Sequence, residues 1–129
     1  MKLIFLNFLL LSTFGNLIAQ KDCTEFTEGT FKLAYGPYKN GFETIRTDST
    51  QTDFDRVYNS TTEYKISWID NCTYKLTRIK GKIHEGFQGF KLEDLIFEVD
   101  TADENGYRYL LKIAETDILL DTTTFVKVK

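Results

Sequence analysis

The chain has 129 residues, with 16 Lys and Arg against 19 Asp and Glu, a formal net charge of −3. That length holds one domain with a real core and is too short for two. A mildly acidic chain without a basic block argues against nucleic acid or an anionic membrane as the main partner.

Lys2 supplies a positive start, and Leu3 to Leu11 form an apolar run broken only by Asn7. Ser12, Thr13, Gly15 and Asn16 then relax the pattern before Leu17-Ile18-Ala19-Gln20. This order of charge, apolar stretch and small residue predicts a cleaved secretory signal over residues 1–19, with 20–129 as a single all-β domain. The stretch falls short of the roughly 20 residues that span a bilayer, and no later segment is apolar enough, so no membrane span is expected. The small residue that a bacterial lipoprotein needs directly before its cysteine is absent ahead of Cys23. The expected location is exported, either periplasmic or extracellular.

Cys23 and Cys72 are the two cysteines. An exported chain meets oxidising conditions, so a disulfide between them is expected, closing a loop of 49 residues. The competing reading, a reactive thiol pair, lacks a partner base or metal cluster.

Downstream the dominant signal is alternation with period two, which sends successive side chains to opposite faces of a strand. Thr30 to Tyr35 places Phe31, Leu33 and Tyr35 on one face. Phe42 to Asp48 is a weaker strand carrying Thr44 and Arg46, and Gln51 to Tyr58 carries Phe54 and Tyr58. In that last segment Asp53 and Asp55 alternate with Phe54 and are expected on a solvated face. The cleanest strand is Thr62 to Ile69, with Tyr64, Ile66 and Trp68 opposite Glu63, Lys65 and Ser67. Asp70-Asn71-Cys72 reads as a tight turn, after which Tyr74 and Leu76 continue the pattern. Asp94 to Asp100 offers Leu95, Phe97 and Val99, and Tyr107 to Ala114 offers Tyr107, Tyr109, Leu111 and Ile113. Asn105-Gly106 between them is the strongest hairpin signal, since both residues tolerate the positive φ of a type I′ turn. Thr122 to Lys129 sets Val126 and Val128 opposite Phe125. Phe90 to Phe97 has room for one short helical turn. The sum is an all-β chain, a single antiparallel meander of seven to nine strands curling into a small barrel or half-barrel. A two-sheet sandwich is the alternative.

The run Trp68-Ile69-Asp70-Asn71-Cys72-Thr73-Tyr74-Lys75-Leu76, with Cys23, Gly29-Thr30-Phe31, Ile45-Arg46-Thr47-Asp48 and Gln51, resembles a family of short exported proteins from flavobacterial-type bacteria. The shared layout is a tail cysteine, a glycine-then-aromatic first strand, an Ile-Arg pair and a Trp-x-x-x-Cys-x-Tyr-x-Leu strand pair. These motifs are structural rather than catalytic, and the resemblance implies no established activity. Some members carry a DNA topoisomerase label, which an exported, acidic chain of this size contradicts.

Catalytic arrangements fail on residue type. The single histidine, His84, has no serine on a nucleophile-elbow pattern to serve, and Cys72 is expected in the bridge. Gly81, Gly86 and Gly89 only superficially match a phosphate loop, because Gly86 is followed by Phe87-Gln88 rather than Lys-Ser/Thr. In the acidic run Asp100 to Gly106, aligning Gly106 with the glycine of a calcium loop puts Thr101 and Lys112 at the end ligand positions, which excludes an EF-hand. One histidine and a committed cysteine pair make zinc a poor fit. No enzyme activity, cofactor or metal is expected.

Aromatic residues remain. Tyr64, Trp68, Tyr74, Tyr107 and Tyr109 are candidates to line a ligand cavity, with hydroxyls and an indole N–H orienting a polar end. The plainer alternative makes them the core. The sequence therefore predicts a small non-catalytic binding protein, lipocalin-like in architecture, holding an apolar or amphipathic molecule. The alternative is a protein-interaction module or inhibitor in the cell envelope, with Phe87 and Phe90 on a partner loop. A monomer is expected.

Overall fold

A computed structural model describes residues 22–82 and 89–128. The signal over 1–19, His84 and Phe87 lie outside the described residues. Eight strands follow in order: β1 Gly29–Leu33, β2 Phe42–Arg46, β3 Thr50–Asp55, β4 Ser60–Asp70, β5 Thr73–Lys80, β6 Leu95–Ala102, β7 Gly106–Ile113 and β8 Leu119–Lys127. Each pairs antiparallel with the next, and β8 returns to β1 through Phe31↔Lys127, Lys32↔Val126 and Leu33↔Phe125. The result is one closed barrel, not two stacked sheets.

An up-and-down meander sorts its connections by parity. Segment 22–28 and the turns at 47–49, 71–72 and 103–105 gather at one end, while 34–41, 56–59, 81–82, 89–94 and 114–118 gather at the other. The first end is tight. Asp70 Oδ1 accepts the Cys72 N–H at 2.9 Å, which makes the predicted turn. Cys23 and Cys72 are bonded, with Cα atoms 5.2 Å apart, tying the N-terminal segment to the β4–β5 turn. A 3₁₀ turn at Thr24–Phe26 then lays Phe26 across the barrel end, where it packs with Phe31, Val99, Tyr107 and Phe125.

The Asn105-Gly106 turn differs from expectation, because neither residue takes a positive φ. Asp103 Oδ1 accepts the N–H groups of Asn105 and Gly106 at 2.8 and 3.0 Å, so an aspartate side chain shapes this turn. Glycine is needed at 106 for closeness: a Cβ there would overlap the Phe125 carbonyl oxygen on β8.

Direct cross-strand partners share a face of the sheet. The pairs Arg46↔Gln51, Thr44↔Asp53, Phe42↔Asp55, Gln51↔Tyr64 and Asp53↔Thr62 therefore put Gln51, Asp53 and Asp55 inside the barrel with Tyr64. This corrects the expected solvated face for Asp53 and Asp55. Phe54 stands on the outward side, opposite Glu43, and Tyr58 lies in the loop beyond the strand. On β4 the alternation holds as expected, with Thr62, Tyr64 and Ile66 buried between more exposed neighbours.

Between β5 and β6 only Thr73↔Glu98 and Tyr74↔Phe97 are in register. Beyond them a second 3₁₀ turn, Leu92–Asp94, inserts buried Leu92 into a cluster with Tyr64, Ile66, Leu76 and Leu95. The outward faces carry cross-strand ion pairs, among them Lys112–Glu98 at 3.1 Å and Lys32–Glu43 at 4.0 Å. A transmembrane barrel instead presents an apolar outer band. Among the described residues, no helix is long and apolar enough to cross a membrane.

Cys72→Ser is expected to cost about 4 kcal/mol by the chain-entropy account of a 49-residue loop, and Gly106→Ala about 2 kcal/mol by overpacking. Urea unfolding monitored by circular dichroism checks both, and adding reductant should leave the Cys72→Ser curve unchanged.

Candidate functional site

Where the strands of the barrel converge on segment 22–28, the interior is filled. Phe26, Phe31 and Tyr107 form an aromatic floor, with ring centroids 4.9 Å apart for Phe26–Tyr107 and 5.6 Å for Phe31–Tyr107. Arg46, at the end of β2, enters this floor and is only 3% exposed. A buried charge is costly unless its hydrogen bonds and counter-charge are supplied. Here Nε donates to Gln51 Oε1 at 2.8 Å, Nη2 to Tyr74 Oη at 2.8 Å, and Nη1 to the Phe26 carbonyl at 3.1 Å. The guanidinium carbon also lies 4.7 Å from the ring centre of Tyr74, 5.1 Å from Phe31 and 5.2 Å from Tyr107.

The counter-charge arrives through a relay. Gln51 Nε2 donates to Asp53 Oδ1 at 3.1 Å, and Thr44 Oγ1 donates to the same oxygen at 2.8 Å. Burial opposes the charge on Arg46, but Tyr107, Tyr74 and Asp53 outweigh it and hold the guanidinium above its ordinary range.

Above this floor the barrel is hollow. A cavity of about 410 Å³ has an apolar wall that includes Leu33, Phe42, Leu76, Phe97, Leu111 and Phe125. Its polar wall is Thr44, Arg46, Gln51, Asp53 and Asp55 from β2 and β3, with Asp121 and Thr123 from β8. It reaches the surface beside Tyr38 and Tyr58, which are 48% and 57% exposed. Volumes of about 300–1,000 Å³ with apolar walls and few polar groups are typical of small-molecule sites.

The five aromatics proposed from sequence separate by height. Tyr74 and Tyr109 line the cavity, and Tyr109 stacks on Phe125 at 5.6 Å. Tyr64, Trp68 and Tyr107 do not line it. Tyr64 packs in the cluster around Ile66 and Leu95, Tyr107 belongs to the floor, and Trp68 rests on Tyr74 with centroids 4.9 Å apart. Phe90 is 41% exposed, just ahead of the second 3₁₀ turn. The sequence reading missed the polar wall. Its signal was the Arg46, Gln51, Asp53, Asp55 spacing, a strand alternation written in polar residues.

Among the described residues, no group of three or more His, Cys, Asp and Glu side chains is placed to hold a metal ion. Comparison with protein-family models, curated proteins and solved structures finds no match to this chain.

Arg46→Met leaves three buried acceptors without their donor and should cost about 3 kcal/mol. Arg46→Lys keeps the charge but not the planar fork, and should cost about 1–2 kcal/mol. Urea titrations of the two variants check this order. Burial raises the hydroxyls of Tyr64, Tyr74, Tyr107 and Tyr109 above their ordinary 10.0, whereas the unfolded chain ionises there. Their contribution to stability is complete below pH 10 and is lost as the pH climbs above it. Melting temperatures and tyrosinate absorbance, followed from about pH 8 to 12, should show these four ionising only as the protein unfolds.

Proposed function

We propose that this protein is a non-catalytic binding protein that holds a small amphipathic molecule in the upper half of its barrel. The observation that carries the reading is the cavity of about 410 Å³, whose lining joins apolar side chains such as Leu76, Phe97, Leu111 and Phe125 to polar ones such as Thr44, Asp53, Asp55, Asp121 and Thr123. A molecule with one apolar and one polar face would gain on both. Burying its apolar part releases about 25 cal/mol per Å² of surface, while its polar part meets groups already fixed in place. The floor below is held by the Arg46 hydrogen bonds, so the site needs little ordering on binding. Export to a periplasm or the exterior, and kinship with short flavobacterial-type proteins, belong to the same proposal. They rest on the Lys2-to-Ala19 pattern and on the Trp68-to-Leu76 motif, and the disulfide is consistent with export.

A second reading has an observation of its own. Tyr35, Tyr38, Val57, Tyr58, Phe90, Ile118 and Leu119 are all exposed at the end where the cavity surfaces. Such an apolar rim also fits a protein-interaction module of the cell envelope.

Thr123→Trp places a large side chain into the cavity from β8 without touching the Arg46 bonds. Titration with a neutral apolar dye such as N-phenylnaphthylamine should show bright, saturable binding to the parent protein and a loss of about tenfold or more in this variant. A dye that binds parent and variant alike would remove the cavity reading. A partner protein that is retained by the filled variant would favour the rim.

A further inference from the structure

We propose that the ligand of this cavity carries a cationic head group, an amine or quaternary ammonium on an apolar body. The inference rests on the cavity reading above and adds the chemical class of what enters. Four charged side chains line the space: Arg46, Asp53, Asp55 and Asp121. They are not equivalent. Arg46 is spoken for, because its nitrogens donate to Gln51, Tyr74 and the Phe26 carbonyl, and its charge is answered by Asp53 through Gln51. The lining thus has two negative charges in excess, contributed by Asp55 on β3 and Asp121 on β8, strands separated in the barrel by β1 and β2.

Aromatic faces accompany these carboxylates. Asp55 Oδ1 accepts the backbone N–H of Tyr58 at 3.2 Å, which fixes that residue at the cavity mouth. Across the space, Tyr109 pairs with Thr123, next but one to Asp121 on β8, and stacks against Phe125. Burial raises the Tyr109 hydroxyl first, Tyr74 next, and Asp121 and Asp53 add to it from the two walls. Carboxylates at the rim of the cavity, Asp55 half-buried and Asp121 exposed, set beside ring faces attract a cation by charge and by cation–π contact. A carboxylate-headed amphiphile of equal length would enter the same space against that field.

The test compares decyltrimethylammonium, decanol and decanoate by calorimetry at low salt, with amide chemical shifts on β3 and β8 reporting the site. The cation is expected to bind about tenfold or more tighter than decanoate, with decanol between them. Asp121→Asn and Asp55→Asn should each reduce that preference about threefold, and Glu25→Gln, an exposed acid at the far end, should not. Decanoate binding as tightly as the cation, or a preference that ignores Asp121 and Asp55 or falls equally in Glu25→Gln, overturns the head-group assignment. In those cases decanol binding leaves the cavity reading standing. If none of the three binds, decanol included, the cavity reading itself fails and takes this inference with it.

Discussion

A single buried guanidinium organises the interior of this barrel. Arg46 comes from β2, yet its donors end on β3 at Gln51, on β5 at Tyr74 and on the N-terminal segment at Phe26. Each bond is a buried charge-assisted contact, worth more than a neutral one and costly to leave unmade. Together they force the floor to one height, because the planar fork reaches all three acceptors only from one position. The disulfide holds the same segment from its other end, through Cys23 and Cys72. Phe26 is thus fixed by a covalent tie on one side and by its own carbonyl on the other.

That floor decides what the rest of the barrel can be. Eight strands enclose a space that side chains can just fill or that can hold one small ligand. Below Arg46 the first outcome holds, with Phe26, Phe31, Tyr107 and Phe125 in contact. Above it the second holds, because the inward residues there include Thr44, Asp53, Asp55, Asp121 and Thr123, which stay short across from the rings of the apolar wall. The 3₁₀ turn carrying Leu92 covers the stretch where β5 and β6 part, so the apolar wall continues past the end of their pairing.

The legible parts of the sequence were those where the buried face is apolar. Tyr64 and Ile66 on β4, and Leu95, Phe97 and Val99 on β6, announced strand, face and core together, and the eight strands closed into the expected barrel. β3 was read in the wrong phase for the complementary reason. Its inward residues are Gln51, Asp53 and Asp55, and its most apolar member, Phe54, points out, so hydropathy alone prefers the opposite register. Only the pairing with β2 and β4 settles the face. Height along the barrel was equally hidden. Tyr107 and Tyr109 share a face and a strand, yet one is floor and the other is cavity wall, and period two carries no information on that axis. The Asn105-Gly106 pair was recognised as a turn but for the wrong reason, since Gly106 serves the close approach of β8 and Asp103 serves the turn.

Volume and polarity in this cavity have one origin. A short side chain on an inward position leaves space, and in a strand the short residues compatible with hydrogen bonding to neighbours are Thr and Asp, not Gly, which weakens strands. Thr44 and Asp53 illustrate this, since each satisfies the other across β2 and β3 at 2.8 Å while neither reaches the barrel axis as a ring would. Filling the space with larger apolar residues would remove the polar wall in the same stroke, and keeping the polar wall keeps the space. An inward Asp bonded from a neighbouring strand, as Asp53 is by Thr44, also sets its carboxyl group on the cavity wall, so the polarity of the lining is a by-product of holding the cavity open. Selection for room to bind and selection for a charged lining therefore act on the same residues, and a change in one at Thr44, Asp53 or Asp121 necessarily changes the other.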